Sequence, residues 1–114
     1  KNYGDKVIGK VSLRTALVKS LNLPTIGLCE ELKPKLVIAY SRRFGITAEM
    51  MENLTTCLGS LSVTLQEMIS AYGVFANQGR LVKPIYILRV EDQDGNILES
   101  SVSELKQVTS EETA

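Results

Sequence analysis

Hydrophobic residues recur at helical spacing from Leu13 onward, and Ser12 stands before them as a candidate N-cap. Leu13, Ala16 and Leu17 lie three and four positions apart, which is the spacing of one helix face. This pattern predicts a first helix that ends near Asn22.

Two prolines predict the starts of the next two helices. Proline suits the first helical turn and disfavours helix at the residue before it, so Pro24 and Pro34 each open a new helix. The second is predicted to run to Leu32 and the third to about Phe44, where Gly45 provides a stop.

The sharpest local signal is the segment from Thr64 to Gly79. Thr64-Leu65-Gln66-Glu67 matches a capping box, in which hydroxyl and carboxylate satisfy the first helix amides reciprocally. Gly79 ends this helix, because glycine takes the left-handed conformation at little cost. An apolar stripe with helical spacing is predicted to face the core: Leu65, Met68, Ile69, Tyr72, Phe75 and Ala76.

The period changes after Gly79. Residues 81–90 are rich in β-branched and aromatic residues, and Asp94-Gly95 predicts a turn into a return strand. We therefore predict a helical subdomain over 12–79 and a β-hairpin over 81–99. Residues 1–10 are predicted to be loop or a short extended piece, and residues 100–114 a polar tail, frayed or a short helix. The predicted fold class is mainly α with a C-terminal β-hairpin.

Composition excludes several kinds of function. The chain has 114 residues, and 13 Lys and Arg balance 13 Asp and Glu, so the basic excess of a nucleic-acid binder is missing. It has no His, which rules out Ser-His-Asp triads and His-based metal sites within this chain. No metal or cofactor is predicted. Cys29 and Cys57 have no CxxC spacing and are interpreted as small buried hydrophobic residues rather than as a disulfide.

Two motifs carry candidate chemistry. In Ser20-Leu21-Asn22, the hydroxyl could relay a proton and the amide could bind a substrate carbonyl or hold a lysine. By spacing alone, this motif is more typical of a helix end. Ser103 and Lys106 form a literal S-x-x-K, but activation of the Ser needs a buried lysine, and this segment is polar. We interpret it as a solvated terminal segment.

Five stretches in order form a combined pattern: Asn2-Tyr3-Gly4, Gly9 through Leu17, Ser20 through Pro24, Ala39 through Ile46, and Leu58 through Gly79. Lys83-Pro84-Ile85 and the segment with Asp92 and Gly95 continue it. Together they resemble the transpeptidase domain of class A penicillin-binding proteins, which are bifunctional peptidoglycan synthases. The resemblance covers residues 1–99, which we interpret as a transpeptidase fragment, and implies the penicillin-binding transpeptidase and serine β-lactamase-like fold.

That family builds its site from three motifs, Ser-x-x-Lys, Ser-x-Asn and Lys-Thr-Gly. This chain has only the second, at Ser20 and Asn22, because Ser103 and Lys106 come in the wrong order. The resemblance implies an internal fragment of a serine-type D,D-transpeptidase that cross-links stem peptides ending in D-Ala-D-Ala and is acylated by β-lactams. The isolated chain, lacking the other two motifs, is predicted to be inactive.

The resemblance also implies a location and partners. The parent would act in the periplasm or on the outer face of the cytoplasmic membrane, with its anchor not in this chain. The remainder of the parent domain would be the first partner, and uncovered hairpin edges would let the fragment associate with itself. Two alternatives stay open: a β-lactamase, carboxypeptidase or penicillin sensor on the same scaffold, or a non-catalytic interaction module using the Tyr72 helix and the hairpin.

Overall fold

The computed structural model describes residues 9–114, which separate into two compact units. The helical unit comprises residues 9–42 and 48–62, and the mixed unit comprises residues 43–47 and 63–114. The predicted loop at the N-terminus, up to residue 8, and the Asn2-Tyr3-Gly4 motif lie outside the described residues. The elements are α1 (Leu13–Val18), α2 (Asn22–Leu32), α3 (Pro34–Arg43), a 3₁₀ turn (Thr56–Leu58), α4 (Leu65–Ala76), β1 (Arg80–Val82), β2 (Arg89–Glu91), β3 (Ile97–Ser100) and β4 (Leu105–Gln107).

Helix α1 starts as its sequence indicates but ends early. The Ser12 hydroxyl accepts a hydrogen bond from the Thr15 amide at 3.1 Å, which confirms the predicted N-cap. The helix ends at Val18, and residues 19–21 form the junction with α2, which begins at Asn22. Helix α2 begins two residues before Pro24, because proline is tolerated throughout a first turn whose amides have no partner within the helix.

The core of the helical unit is small. Helix α2 contacts both α1 and the 3₁₀ turn. Four residues are buried at these contacts: Ala16, Leu21, Cys29 and Thr56. The remaining apolar residues of the first predicted stripe are exposed, with Leu13 at 62% and Leu17 at 82%. Among the described residues, the Ala16 side of α1 is therefore the side that is covered.

The interpretation of the cysteines is wrong. Cys29 and Cys57 form a disulfide with their Cα atoms 6.3 Å apart, within the usual range for this bond. The 3₁₀ turn packs on α2 and brings Cys57 next to Cys29. The two residues are 28 positions apart in sequence, and nothing in that spacing indicates the contact.

Helix α4 is capped in an unexpected way. The Thr64 hydroxyl accepts from the Glu67 amide at 3.1 Å, as a capping box requires. The Glu67 carboxylate does not return to Thr64. It accepts instead from the Thr47 amide at 3.0 Å and from the Thr47 hydroxyl at 3.1 Å, and thereby ties residues 43–47 to α4.

The buried face of α4 is not the predicted stripe. Ala71 and Val74 are buried, Val74 completely, and α4 packs against β1. Small side chains at these positions let the backbone of β1 approach the helix. The large residues of the predicted stripe are exposed instead, including Leu65 at 76%, Ile69 at 63% and Tyr72 at 68%. Phe75 is half exposed and meets Phe44 edge-to-face, with ring centroids 5.5 Å apart.

The strands do not form the single hairpin predicted over residues 81–99. Strand β1 pairs antiparallel with β4, and β2 pairs antiparallel with β3 across a turn at Asp94-Gly95. The segment predicted as a polar tail or short helix therefore contains a paired strand. Val108, which follows β4, is only 2% exposed and lies in the core of the mixed unit.

The two strand pairs are parts of one interrupted antiparallel ribbon. Lys83 donates its amide to the Glu104 carbonyl at 3.1 Å, and Ser101 donates to the Leu88 carbonyl at 2.8 Å. Between these bonds, residues 84–87 lie opposite residues 102–103 without a regular ladder. Pro84 lacks an amide hydrogen and interrupts the pairing at this point.

Gly79 is required by both conformation and space. Its φ is +81°, and a Cβ at this position would lie 2.4 Å from the Thr109 carbonyl oxygen. The Gly79 carbonyl accepts from the amides of Val108 at 3.0 Å and Thr109 at 3.2 Å. The predicted helix stop is therefore also the point where the C-terminal segment docks.

Candidate active site

The two predicted catalytic residues lie at the junction of α1 and α2. Ser20 directly follows Lys19, the C-cap residue of α1, and Asn22 is the first residue of α2. Ser20 is exposed and Asn22 is half-buried. The structure thus places a hydroxyl and an amide on one short connection between two helices, separated by the single residue Leu21.

The backbone of this junction forms a Schellman motif. Leu21 donates its amide to the Ala16 carbonyl at 2.9 Å, and Ser20 donates to the Leu17 carbonyl at 3.2 Å. Leu21 and Ala16 are both buried, as expected for the hydrophobic contact that accompanies this motif. The prediction that this serine lies at a helix end is consistent with this geometry.

Ser20 occupies the position where such a motif normally has glycine. Its φ is +51°, in the left-handed region. For a residue with a Cβ this conformation costs about 1–2 kcal/mol relative to the right-handed one. A serine at this position therefore gives up some stability that glycine would retain. Lys33 and Gln78 also have positive φ, so this conformation is not confined to the candidate site.

Leu21 and Thr25 hold the start of α2. The Thr25 hydroxyl donates to the Leu21 carbonyl at 3.0 Å, and Leu21 is 8% exposed. Leu21 is also the N-cap residue, and its apolar side chain makes no capping hydrogen bond. Asn22 therefore stands in the first turn at the positive end of the helix dipole.

The S-x-x-K of the C-terminal segment does not form a catalytic pair. Ser103 lies outside regular structure, and Lys106 is in the middle of β4. The two residues are therefore not on a helix, which is the structure that would place side chains three apart on one face. Both residues are exposed, which agrees with the interpretation as a solvated segment.

Three further observations concern the described residues. A cleft of about 540 Å³ opens at the interruption of the ribbon and is lined in part by Lys83, Tyr86 and Glu104. Neither Ser20 nor Asn22 lines it. Over residues 9–114, no three His, Cys, Asp or Glu side chains come close enough to hold a metal ion. Within the same range, no helix is both long and apolar enough to cross a membrane.

Sequence reasoning missed one covalent feature near the candidate site. The disulfide joins Cys29, on the helix that begins with Asn22, to Cys57 in the 3₁₀ turn. The available signal was an even number of cysteines in a chain that resembles extracytoplasmic enzymes, where disulfides persist.

Comparison with known protein families shows which family this chain belongs to. The family described as the penicillin binding protein transpeptidase domain matches residues 1–114, the whole chain. The chain belongs to this transpeptidase family. The match continues past residue 99, so the segment predicted as a tail is part of the transpeptidase domain.

Relatives named penicillin-binding protein 1A support the same family assignment. Penicillin-binding protein 1A of Aquifex aeolicus is 34% identical over 108 residues, which is 95% of this chain and 15% of the relative. The protein of the same name from Pseudomonas aeruginosa is 37% identical over 99 residues, 86% of this chain and 12% of the relative. That of Rickettsia felis is 35% identical over 98 residues, 86% of this chain and 12% of the relative. The chain thus spans only about an eighth to a seventh of these relatives.

Proposed function

We propose that this chain supplies the Ser-x-Asn part of a serine D,D-transpeptidase that cross-links peptidoglycan stem peptides. The observation that carries the proposal is that Ser20 and Asn22, the Ser-x-Asn motif, lie together on the short connection between α1 and α2. The family match and the 1A-type relatives support the same assignment.

Each residue then has a defined role. A nucleophilic serine elsewhere in the parent attacks the carbonyl carbon of the penultimate D-Ala, and the terminal D-Ala leaves as an amine. The Ser20 hydroxyl passes a proton to that leaving amine, and the Asn22 side-chain amide binds the substrate amide. An amine of a second stem peptide then takes the acyl group, and the serine is regenerated. β-Lactams acylate the same serine, and a lysine serves as the base because this site uses no histidine.

The isolated chain is inactive in this proposal, since neither a Ser-x-x-Lys ahead of Ser20 nor a Lys-Thr-Gly occurs in it. The parent acts outside the cytoplasm, on the outer face of the membrane or in the periplasm. The Cys29–Cys57 disulfide supports this location, because such bonds persist in oxidising compartments.

A fluorescent penicillin tests the proposal directly. The longest natural protein that carries this chain should be labelled covalently at one serine, and the isolated chain should not be labelled. Ser20→Ala should slow acylation by about a hundredfold or more, the usual range for losing a proton-transfer group. Ser12→Ala, which removes only an exposed helix cap, is the matched control and should keep the rate. Labelling of the isolated chain, or an unchanged rate in Ser20→Ala, would contradict the proposal.

A second candidate is a non-catalytic interaction module, which includes association of the chain with itself. The exposed apolar face of α4 favours it, since Leu65, Ile69 and Tyr72 are each more than half exposed. Light scattering of the isolated chain over a range of concentrations separates the two cases. Ser20→Ala would leave any such association unchanged, whereas Tyr72→Ser would weaken it.

A further inference from the structure

The helix that begins with Asn22 carries the disulfide on the same side. Asn22 and Cys29 are seven positions apart in α2, which leaves them on one face with a drift of about 20°. Along the axis they are separated by about 10 Å, or two turns. The bond from Cys29 to Cys57 therefore fixes the face of α2 that presents the candidate catalytic amide.

The disulfide joins α2 to the 3₁₀ turn covalently, and the hydrogen bonds of the turn residues run within their own segment. The hydrogen bonds recorded for Thr55, Thr56 and Cys57 all stay within residues 51–60, as do those donated by Gly59 and Ser60. If the bond is reduced, the packing between α2 and the 3₁₀ turn is the contact described between them.

Helix α2 needs such support. It contains Gly27, a residue of low helix propensity, and Leu21 gives it no side-chain cap. The Schellman motif that sets the backbone of Ser20 depends in turn on Leu21, which lies directly before α2. Loosening α2 therefore reaches the Ser20–Asn22 junction through adjacent residues.

We propose that the Cys29–Cys57 disulfide is a redox-controlled lock that holds the Ser20–Asn22 junction in its working geometry and is opened by a dithiol reductant. This rests on the proposed function only for its effect on acylation. Cys57 is half-buried, whereas Cys29 is 2% exposed, so the attacking thiolate reaches the Cys57 sulfur. The Cys29 sulfur leaves as a thiolate and takes up a proton. The second thiol of the reductant then attacks the mixed disulfide and releases Cys57, so two thiols form on the chain and one disulfide forms on the reductant.

The first test measures backbone exchange and needs no catalytic activity. The longest natural protein carrying this chain is compared in its oxidised form, after reduction with dithiothreitol and after reoxidation, with thiol titration confirming each state. Reduction should accelerate hydrogen exchange across residues 16–25, and reoxidation should reverse it. Exchange in α4, which belongs to the other unit, is the internal control and should not change. Unchanged exchange at residues 16–25 would overturn the lock.

The second test measures acylation by a fluorescent penicillin in the same three states. Reduction should slow acylation by about tenfold or more, because a shift of about 1 Å in a positioned group costs up to about a hundredfold. The double variant Cys29→Ala/Cys57→Ala should be acylated at the rate of the dithiothreitol-reduced protein, and dithiothreitol should not change that rate. Faster exchange with an unchanged acylation rate would overturn the regulatory role. Failure of the oxidised protein to be acylated at all would contradict the proposed function, and the exchange measurement would still decide the lock.

Discussion

The helical unit and the mixed unit hold distant parts of the chain together by different chemistry. In the helical unit, residues 48–62 are joined to α2 by the Cys29–Cys57 bond and by packing. In the mixed unit, the C-terminal segment is joined to β1 and Gly79 by backbone hydrogen bonds and by the buried Val74 and Val108. The first should therefore respond to redox conditions, and the second to anything that separates two backbones.

The largest expected effect is on the helical unit. Removing the disulfide by Cys29→Ala/Cys57→Ala should lower its unfolding free energy by about 3–4 kcal/mol, the loop-entropy value for a bond closing a loop of about 30 residues. Denaturant unfolding followed by residue-resolved hydrogen exchange measures it. The amide of Val74 in the mixed unit should keep its protection. An equal loss in both units would show that they do not respond separately.

The second-largest expected effect is a loss of stability in the mixed unit. Gly79→Ala should cost about 2–4 kcal/mol, because the new Cβ would lie 2.4 Å from the Thr109 carbonyl oxygen and φ is +81°. Gly95→Ala is the matched control. Its φ is +82°, but a Cβ there has nothing within 4 Å, so only the conformational cost of about 1 kcal/mol remains. Equal losses from thermal unfolding of the two variants would contradict the close approach.

A smaller effect of opposite sign tests the strained residue. Ser20→Gly should stabilise the helical unit by about 0.5–1 kcal/mol, since glycine adopts the left-handed conformation without the Cβ penalty. Ser20→Ala keeps that penalty and should not stabilise. Both variants should lose acylation in the parent, which separates stability from activity. A gain in stability from Ser20→Ala would mean that the strain is not in the backbone.

The smallest effect concerns the turn between β2 and β3. Hydrogen bonds from the Asn96 side chain and backbone hold the pKa of Asp92 below its ordinary value of 3.8. A lowered folded-state pKa means that the ionised carboxylate stabilises the turn above about pH 4, and that this contribution is lost as pH falls through the folded pKa. NMR titration of Asp92 measures the shift, and Asn96→Ala should move the pKa back towards 3.8.

Local signals in the sequence predicted much of the backbone. Ser12 and Thr64 cap the helices that follow them, α3 begins at Pro34, and α4 ends directly before the predicted stop at Asn77-Gln78-Gly79. These features depend on interactions within four or five residues, which the residue types determine. The family resemblance likewise rests on ordered local motifs and is confirmed by the match over the whole chain. The roles of Ser20 and Asn22 stay predictions.

The sequence did not predict which strands pair with each other. The residues around Leu81 have the composition of a strand, but nothing local indicates that β1 pairs with residues 105–107 rather than with the strand after the turn. The polar composition of residues 100–114 indicated a tail because a strand at the edge of a ribbon needs few apolar residues. Pro84 itself indicated an interrupted strand. Nothing in the sequence indicated that the interruption would divide the pairing into β1 with β4 and β2 with β3.

The sequence by itself determined where the helices begin, where the chain turns and which family it joins, because those depend on short-range backbone chemistry and ordered motifs. Only the tertiary structure decided which apolar residues are buried, that Cys57 reaches Cys29, and that Glu67 binds Thr47 instead of its own helix start. Each of these depends on segments far apart in sequence coming within a few ångströms, and residue spacing carries no information about that approach.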